Sequence, residues 1–404
     1  MNKEVLLVPP PGGAFARRTG ICLNMIVKNE TAVLERLLRS VKDVVDYFVI
    51  VDTGSTDDTP GLIQRLATAW GLPGEIHFRP WVNFGHNRQQ ALELAVAAGR
   101  GDWLLFIDAD EELECVDPAW FKVLQPGVTY RLRKHHGEMR YALTNLVDLR
   151  NSGWAWRGPV HEYLACEHGG ARRVTLESAW IHYRAGEGAR SQGVSKREKF
   201  LRDAALLEAA LQTAPDDARN RFYLAQSYRD AGEPAKAFEH YAARVRLGGW
   251  AEEAYVSQCE MGKLATALER PHEEVVRLLL DAWHLRPTRA EALWYLARHC
   301  RLNRRFAEGF LFANTGKDIA EPDDVLFVQH EAYAWRLWDE LAVNAYWIGQ
   351  YQVSAQACRH LLAHQHHPAS HTPRIEANLA HAQTQLAKQR RNNTDTVGDA
   401  DGRA

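Results

Sequence analysis

The junction between Trp103-Leu104-Leu105-Phe106-Ile107 and Asp108-Ala109-Asp110-Glu111-Glu112 restricts this chain more than any other stretch. Five apolar or aromatic residues without alternation read as a strand buried on both faces, which calls for a mostly parallel sheet with helices on either side. Ligands of open α/β sheets bind beyond the carboxyl ends of such strands, where Asp108 and Asp110 fall. Residues two apart in an extended segment point to the same side, so both carboxylates can face one ion. Paired carboxylates are hard oxygen ligands, suited to Mg2+ or Mn2+ that also holds a diphosphate. A solvated acidic turn is the competing reading of a lone Asp-x-Asp, so the surroundings decide.

Those surroundings alternate. A Pro/Gly-rich lead, residues 1–18, precedes a strand at 20–27, and Leu34, Leu37, Leu38 and Val41 then recur at helical spacing. A second strand over 47–51 ends in Asp52-Thr53-Gly54-Ser55-Thr56-Asp57-Asp58-Thr59-Pro60, an acidic strand end followed by a turn and a capped helix start. A helix from Gly61 to about Trp70, a strand over 75–78 and a helix over 87–98 return to the strand at Trp103. This order predicts a doubly wound α/β domain. Its parallel strands place Asp52 on the same edge as Asp108 and Asp110. Arg88, near a helix N-terminus between these strands, suits a diphosphate.

Four stretches then resemble, in order, the inverting family-2 glycosyltransferases of the GT-A (Rossmann-like) fold: Met25-Ile-Val-Lys-Asn-Glu30, Asp52-Thr-Gly-Ser-Thr-Asp-Asp-Thr59, Asn83-Phe-Gly-His-Asn-Arg88 and Phe106-Ile-Asp-Ala-Asp-Glu-Glu112. The resemblance covers about the first 185 residues. It implies a nucleotide-sugar donor, usually UDP-linked, held through a divalent metal (Mn2+ or Mg2+). It places Glu30 and Asp52 on the uridine side, Arg88 at the base or diphosphate, and Asp108 and Asp110 at the metal, with Asp110 the more direct ligand.

Sugar transfer with inversion also needs a carboxylate to accept the acceptor's proton. Glu162, in Trp154-Ala-Trp-Arg-Gly-Pro-Val-His161-Glu162-Tyr163, is the candidate base, with Asp110, Glu111 and Glu112 as rivals. His161 is placed to orient substrate or ligate the metal, and His182, after Trp180-Ile181, resembles the late histidine that completes GT-A metal sites. The basic residues Arg131, Arg133, Lys134, His135, His136 and Arg140 read as a solvated loop.

After residue 184 the composition changes. Residues 185–195 are rich in Gly, Ser and Arg and read as a linker or mobile loop. From Lys196 to 388 the pattern is helical, and Ala225, Gly262 and Ala297 repeat a small-residue position at offsets of 37 and 35 residues. The period resembles the roughly 34 residues of tetratricopeptide (TPR) helix pairs, which implies a solenoid of three or four degenerate repeats with a capping helix near 374–388. Trp250, Tyr255, Trp283, Trp294, Trp335, Trp338 and Trp347 read as its core, and residues 389–404 as a disordered tail.

Composition narrows the classes. The 49 basic and 51 acidic residues nearly balance, which gives no electrostatic case for nucleic acid. The six cysteines form no CxxC pair, which suits reduced thiols and a cytoplasmic setting. No apolar run approaches the roughly 20 residues of a membrane span. The expectation is a metal-dependent glycosyltransferase whose repeats recruit a peptide or protein acceptor or form a homodimer. A saccharide or lipopolysaccharide-core transferase, and a TPR scaffold with a vestigial sugar-transfer domain, are the alternatives. Nucleotidyl transfer would call for a glycine-rich basic loop where Lys28-Asn29-Glu30 stands.

Overall fold

The computed structural model describes residues 4–10, 12, 18–136, 139–151, 153–167, 172–184, 186–189 and 193–398. Two compact units divide it, Met1–Ala210 and Leu211–Ala404.

The first unit is a mixed sheet flanked by helices. Its strands are β1 (Val5–Val8), β2 (Ile21–Val27), β3 (Tyr47–Asp52), β4 (Gly74–Phe78), β5 (Trp103–Phe106), β6 (Glu111–Cys115), β7 (Val128–His136), β8 (Met139–Asp148) and β11 (Arg172–Tyr183), in the order β1-β4-β3-β2-β5-β8-β7-β11-β6. The central β4-β3-β2-β5 run is parallel, as the alternation predicts, because the helices α1 (Leu34–Val41), α2 (Thr59–Trp70) and α3 (Phe84–Ala98) carry the chain back between strands. Val27 lies opposite Asp52, and Asn24 opposite Phe106, so the carboxyl ends of β2, β3 and β5 share one edge. Leu23, Ile50, Leu105, Leu37 and Ile63 are fully buried in one core, while Val49, Leu104 and Leu92 fill another.

Three features differ from the sequence reading. Val5–Val8, inside the expected lead, pairs antiparallel with β4 as an edge strand. Residues 131–136 form β7 and not a loop, and Lys134 is buried there. Alternation along a strand lets one side of a basic stretch face inward where a carboxylate waits. Finally, β8 runs antiparallel beside β5, and β6 runs antiparallel to β11 at the far edge of the sheet. A two-stranded ribbon of β9 (Trp154–Arg157) and β10 (Tyr163–Cys166) brackets the loop holding His161 and Glu162.

Of the segment expected as a linker, residues 185 and 190–192 lie outside the described residues, and α4 (Lys196–Thr213) falls mainly in the first unit. The second unit stacks α5 (Ala218–Asp230), α6 (Pro234–Leu247), α7 (Ala251–Ala267), α8 (His272–Leu285), α9 (Glu291–Leu302), α10 (Phe306–Gly316), α11 (Leu337–Trp347), α12 (Tyr351–His364) and α13 (Thr372–Gly398). Each helix packs on the next, and α7, α9, α11 and α13 also touch in series, which is the geometry of stacked helix pairs. The small residues permit it. Ala225 and Ala297 are fully buried, and a Cβ on Gly262 would come within 2.5 Å of the Leu279 side chain. Of the aromatics expected in the core, Tyr255 and Trp335 are buried, while Trp250 and Trp347 are exposed. The tail expected from Gln389 continues α13 as far as Gly398, and residues 399–404 lie outside the described residues.

The stretch 321–329 contacts α5, α7 and α9. The Phe327 ring stacks on Phe222, Glu252 accepts from the backbone N–H of Val325 (2.9 Å) and Leu326 (2.8 Å), and Gln329 N–H donates to Glu291. Arg289, almost fully buried, is matched by Glu291 and Asp324.

Candidate functional site

The acidic edge is organised by one arginine. Asn83 caps α3 by accepting from His86 N–H (2.8 Å), which places Arg88 in the second turn, over the end of β5. Gly85 permits the approach, since a Cβ there would lie 2.0 Å from the Gly158 carbonyl oxygen. Phe84 N–H donates to the Pro159 carbonyl (3.0 Å) and ties α3 to the loop of His161 and Glu162. Arg88 then reaches both ways. Its Nε donates to Glu162 Oε1 (2.7 Å), its Nη2 to Asp108 Oδ1 (2.6 Å), and its guanidinium lies 5.2 Å from the Trp156 ring centroid. A fork of this kind fixes the direction of both carboxylates. Thus Arg88, expected at a diphosphate, bridges two other candidate residues.

Asp108 is pulled two ways: burial raises its carboxyl, but Arg88 and Lys134 outweigh burial and hold it below the usual carboxylate range. Glu111 pairs with buried Lys134 and also accepts from Asp108 N–H (3.0 Å), which fixes the turn after β5. Glu112 is bonded to Arg184 and Arg36. Among the rival bases, Glu111 and Glu112 are therefore engaged in structural pairs.

Asp110 is different. It has no ion pair among the described residues, and burial followed by the neighbouring Asp108 charge pushes its carboxyl up to about 6. An underneutralised carboxylate beside a second one is a donor set that a divalent cation suits, so Asp108 and Asp110 fit the expected metal. His182 does not join them. It lies opposite Glu112 and His135 in the register of β11, on the opposite side of the sheet from Glu111, and its Nδ1 pairs with Glu114 (3.3 Å). Among the described residues, Asp108, Asp110 and His182 do not form a cluster of ligand spacing. His182, expected as a further ligand, is engaged instead by Glu114, on the face it shares with Glu112. His161 is exposed and holds a left-handed backbone (φ 51°), an unfavourable conformation for a residue with a Cβ. It redirects the chain immediately before Glu162.

Two clefts open in this unit, one of them lined by the Arg88 bridge. One, of about 570 Å³, is lined by Arg88, Asp108, Lys134, Trp156, Glu162 and Tyr163. The other, of about 430 Å³, is lined by Lys28, Glu30, Thr53, Trp81, Phe84 and Lys199, with Trp81 and Phe84 edge to face at 4.7 Å. Asp52 accepts from Gly54 and Ser55 N–H through Oδ1 (both 2.9 Å), while its Oδ2 is buried with no hydrogen-bond partner among the described residues. Asn29, itself left-handed (φ 59°), ties this loop to that after β2 by accepting from Thr56 N–H (2.7 Å). Glu30 Oε2 accepts from Ala189 N–H (3.2 Å), and Gly188 sits against Asp110, so the 186–189 segment touches both acids. Lys134, Trp156, Trp81 and Lys199 were not singled out as site residues by sequence. Only the aromatic content of Trp154-Ala-Trp156 hinted at one of them.

Burial, then the charges of Asp110 and Asp108, push Glu30 up to about 7 from an ordinary value near 4.5, against the Ala189 N–H that lowers it. A folded value above the unfolded one gives stability that is present below about pH 4.5 and lost as pH rises through 7. The first unit is therefore expected to lose about 1 kcal/mol between pH 5 and 8 through Glu30, after discounting for solvent screening. That corresponds to about 2–4 °C in melting temperature. Glu30→Gln should flatten this slope, and an unchanged slope would reject the assignment.

The fold and site define a doubly wound α/β domain whose ligand edge carries paired carboxylates. Residues 22–125 match the family described as glycosyl transferase family 2. An uncharacterized glycosyltransferase of Rickettsia felis is 33% identical over 129 residues, 31% of this chain and 40% of its own. A TPR repeat-containing protein of Synechococcus elongatus is 42% identical over 102 residues, 25% of this chain and 22% of its own. The lipopolysaccharide core biosynthesis glycosyltransferase LpsC of Rhizobium meliloti is 37% identical over 90 residues, 22% of this chain and 31% of its own. The chain spans less than half the length of these relatives. Among solved structures, the MamA protein aligns over 41% of this chain and 82% of its own at 15% identity, with a TM-score of 0.34. Residues 22–125 of the N-terminal unit thus match the family-2 glycosyltransferase model, and a stack of helix pairs follows in the second unit. Among the described residues, no helix is long and apolar enough to cross a membrane.

Proposed function

We propose that this protein is a metal-dependent inverting glycosyltransferase that takes a sugar from a nucleotide-sugar, of the UDP class, to a peptide or protein acceptor recruited by the repeats. The observation that carries this is the Arg88 bridge. It joins Asp108, on the acidic edge, to Glu162, in the loop across the larger cleft.

The nucleoside enters the smaller cleft. Trp81, Phe84 and Glu30 line the base and ribose, and Asp52, next to Thr53 of the lining, holds the Gly54–Ser55 turn beside them. Asp108 and Asp110 would hold a Mn2+ or Mg2+ ion, whose chemistry is to neutralise the charge that builds on the departing nucleoside diphosphate. Trp156 and Tyr163 line the larger cleft, where an apolar ring face supports a sugar. The acceptor nucleophile attacks the anomeric carbon on the face opposite the diphosphate. Glu162 takes the nucleophile's proton as the new bond forms and the bond to the diphosphate oxygen breaks. Arg88 holds Glu162 at this post through Nε.

Support for a saccharide acceptor comes from similarity to LpsC, named as a lipopolysaccharide core biosynthesis glycosyltransferase. The repeats favour the macromolecular acceptor, since stacked helix pairs present an extended concave surface.

A thermal-shift screen of the full chain against UDP-, GDP-, CMP- and dTDP-sugars, with and without Mn2+ or Mg2+, tests the donor half. At 100-fold excess over Kd, a bound donor adds about 2.7 kcal/mol. A cation-dependent shift confined to one nucleotide class is expected. No shift with any donor would favour the scaffold reading.

A further inference from the structure

Outside this site, three side chains from three successive helices meet in the repeats. His272 opens α8, Cys300 lies near the end of α9, and Glu308 lies in the first turn of α10. His272 Nε2 is 2.9 Å from Glu308 Oε2, Cys300 Sγ is 3.9 Å from the same oxygen, and all three ligand atoms lie within 4.8 Å of one another. Bonds of about 2.0–2.3 Å in a tetrahedron hold ligand atoms roughly 3.3–3.8 Å apart. The observed spacings bracket that range.

A supporting layer surrounds them. His272 Nδ1 is 3.1 Å from His299 Nε2, the two rings stack at 5.1 Å, and His299 Nδ1 lies 3.4 Å from Thr266 Oγ1. In the tautomer in which His299 Nε2 accepts from His272 Nδ1–H, the His272 Nε2 lone pair is turned toward Glu308 and Cys300. Outer-shell partners of this kind fix ligating histidines in their tautomer. Arg305 occupies the other Glu308 oxygen, with Nη2–Oε1 at 2.6 Å, and leaves Oε2 for the cluster. Two lone-pair atoms 2.9 Å apart need a positive centre between them, either a proton or a metal ion.

We propose that His272, Cys300 and Glu308 bind a divalent cation of the zinc type. One nitrogen, one thiolate and one carboxylate at tetrahedral spacing select Zn2+ over Mg2+ or Ca2+, which take oxygen ligands. The fourth position opens to water, since Glu308 is only partly buried. Cys300 is fully buried, and because a thiol binds metal as the thiolate, binding releases a proton and weakens as pH falls. Bound metal pins α8, α9 and α10 to one another. This soft-ligand site is distinct from the oxygen pair Asp108/Asp110.

Cobalt is the probe, because a thiolate bound to Co2+ gives a near-ultraviolet charge-transfer band and a tetrahedral site gives strong visible bands. The full chain, reduced and stripped of metal, is titrated with Co2+ at pH 7.5 and then with Zn2+. One equivalent of Co2+ is expected to give both bands, Zn2+ to remove them, and Zn2+ to raise the melting temperature of the repeats by several degrees. Cys300→Ala should lose the charge-transfer band and His272→Gln should weaken binding at least about 10-fold. Asp110→Asn should leave both unchanged. His299→Ala, which removes no ligand, should weaken binding about 10–100-fold while keeping the spectrum. Absence of the charge-transfer band in the parent overturns the proposal, and so does a band that survives in folded Cys300→Ala. An unaltered spectrum with a melting temperature that responds only to pH would make the cluster a protonated His272–Glu308 ion pair.

Discussion

Glu162→Gln is expected to lower the turnover of sugar transfer about 100- to 10,000-fold while leaving donor affinity and the melting temperature nearly unchanged. Glutamine keeps an oxygen for Arg88 Nε, so the bridge to Asp108 survives, but it cannot accept the acceptor's proton. The loss should fall on kcat and not on donor binding. Arg88→Met gives the contrast. It leaves Asp108 and Glu162 without the cation between them, so stability should fall by about 3–5 kcal/mol together with activity. If Glu162→Gln retained turnover within about threefold, Asp110 would be the remaining candidate base.

Asp110→Asn carries the second large effect. Turnover should fall at least about 100-fold, since charge stabilisation of the leaving diphosphate is worth several kcal/mol and each 1.36 is tenfold. Without metal, however, the variant should melt at or above the parent's temperature. The native carboxylate is desolvated and repelled by Asp108, and the amide carries no charge. The Mn2+-dependent shift of the parent should vanish. A variant that melts well below the parent, or keeps its Mn2+ shift, would show that Asp110 supports the fold and leaves the metal to other groups.

How the chain is divided also bears on experiments. A cut after Ser195, at the composition change, would remove α4 and with it Lys199, Arg202 and Leu206, which line the smaller cleft. A break between Ala210 and Leu211 respects the compact units. The Gly/Ser-rich stretch reads as a boundary because linkers share its composition, yet its described residues 186–189 pack on Glu30 and Asp110.

The parallel core, the helices between its strands and the carboxyl edge carrying Asp52 and Asp108 were legible from sequence, because each depends on local periodicity and on a strand ending where acids begin. The repeats were legible for a similar reason: small residues recur at the offset of a helix pair, whatever the partners are. Only the tertiary structure decided who meets whom. Arg88 and Glu162 are 74 residues apart, and nothing local says that a guanidinium near a helix start will clasp them. Lys134 and His182 show the same limit. Each side chain's fate follows from the face it takes in a sheet whose register is set by distant strands, so Lys134 is turned in to Glu111 and His182 out to Glu114. Sequence placed the acidic edge of this sheet; the packing of the strands joined it, through Arg88, to Glu162 on the far side.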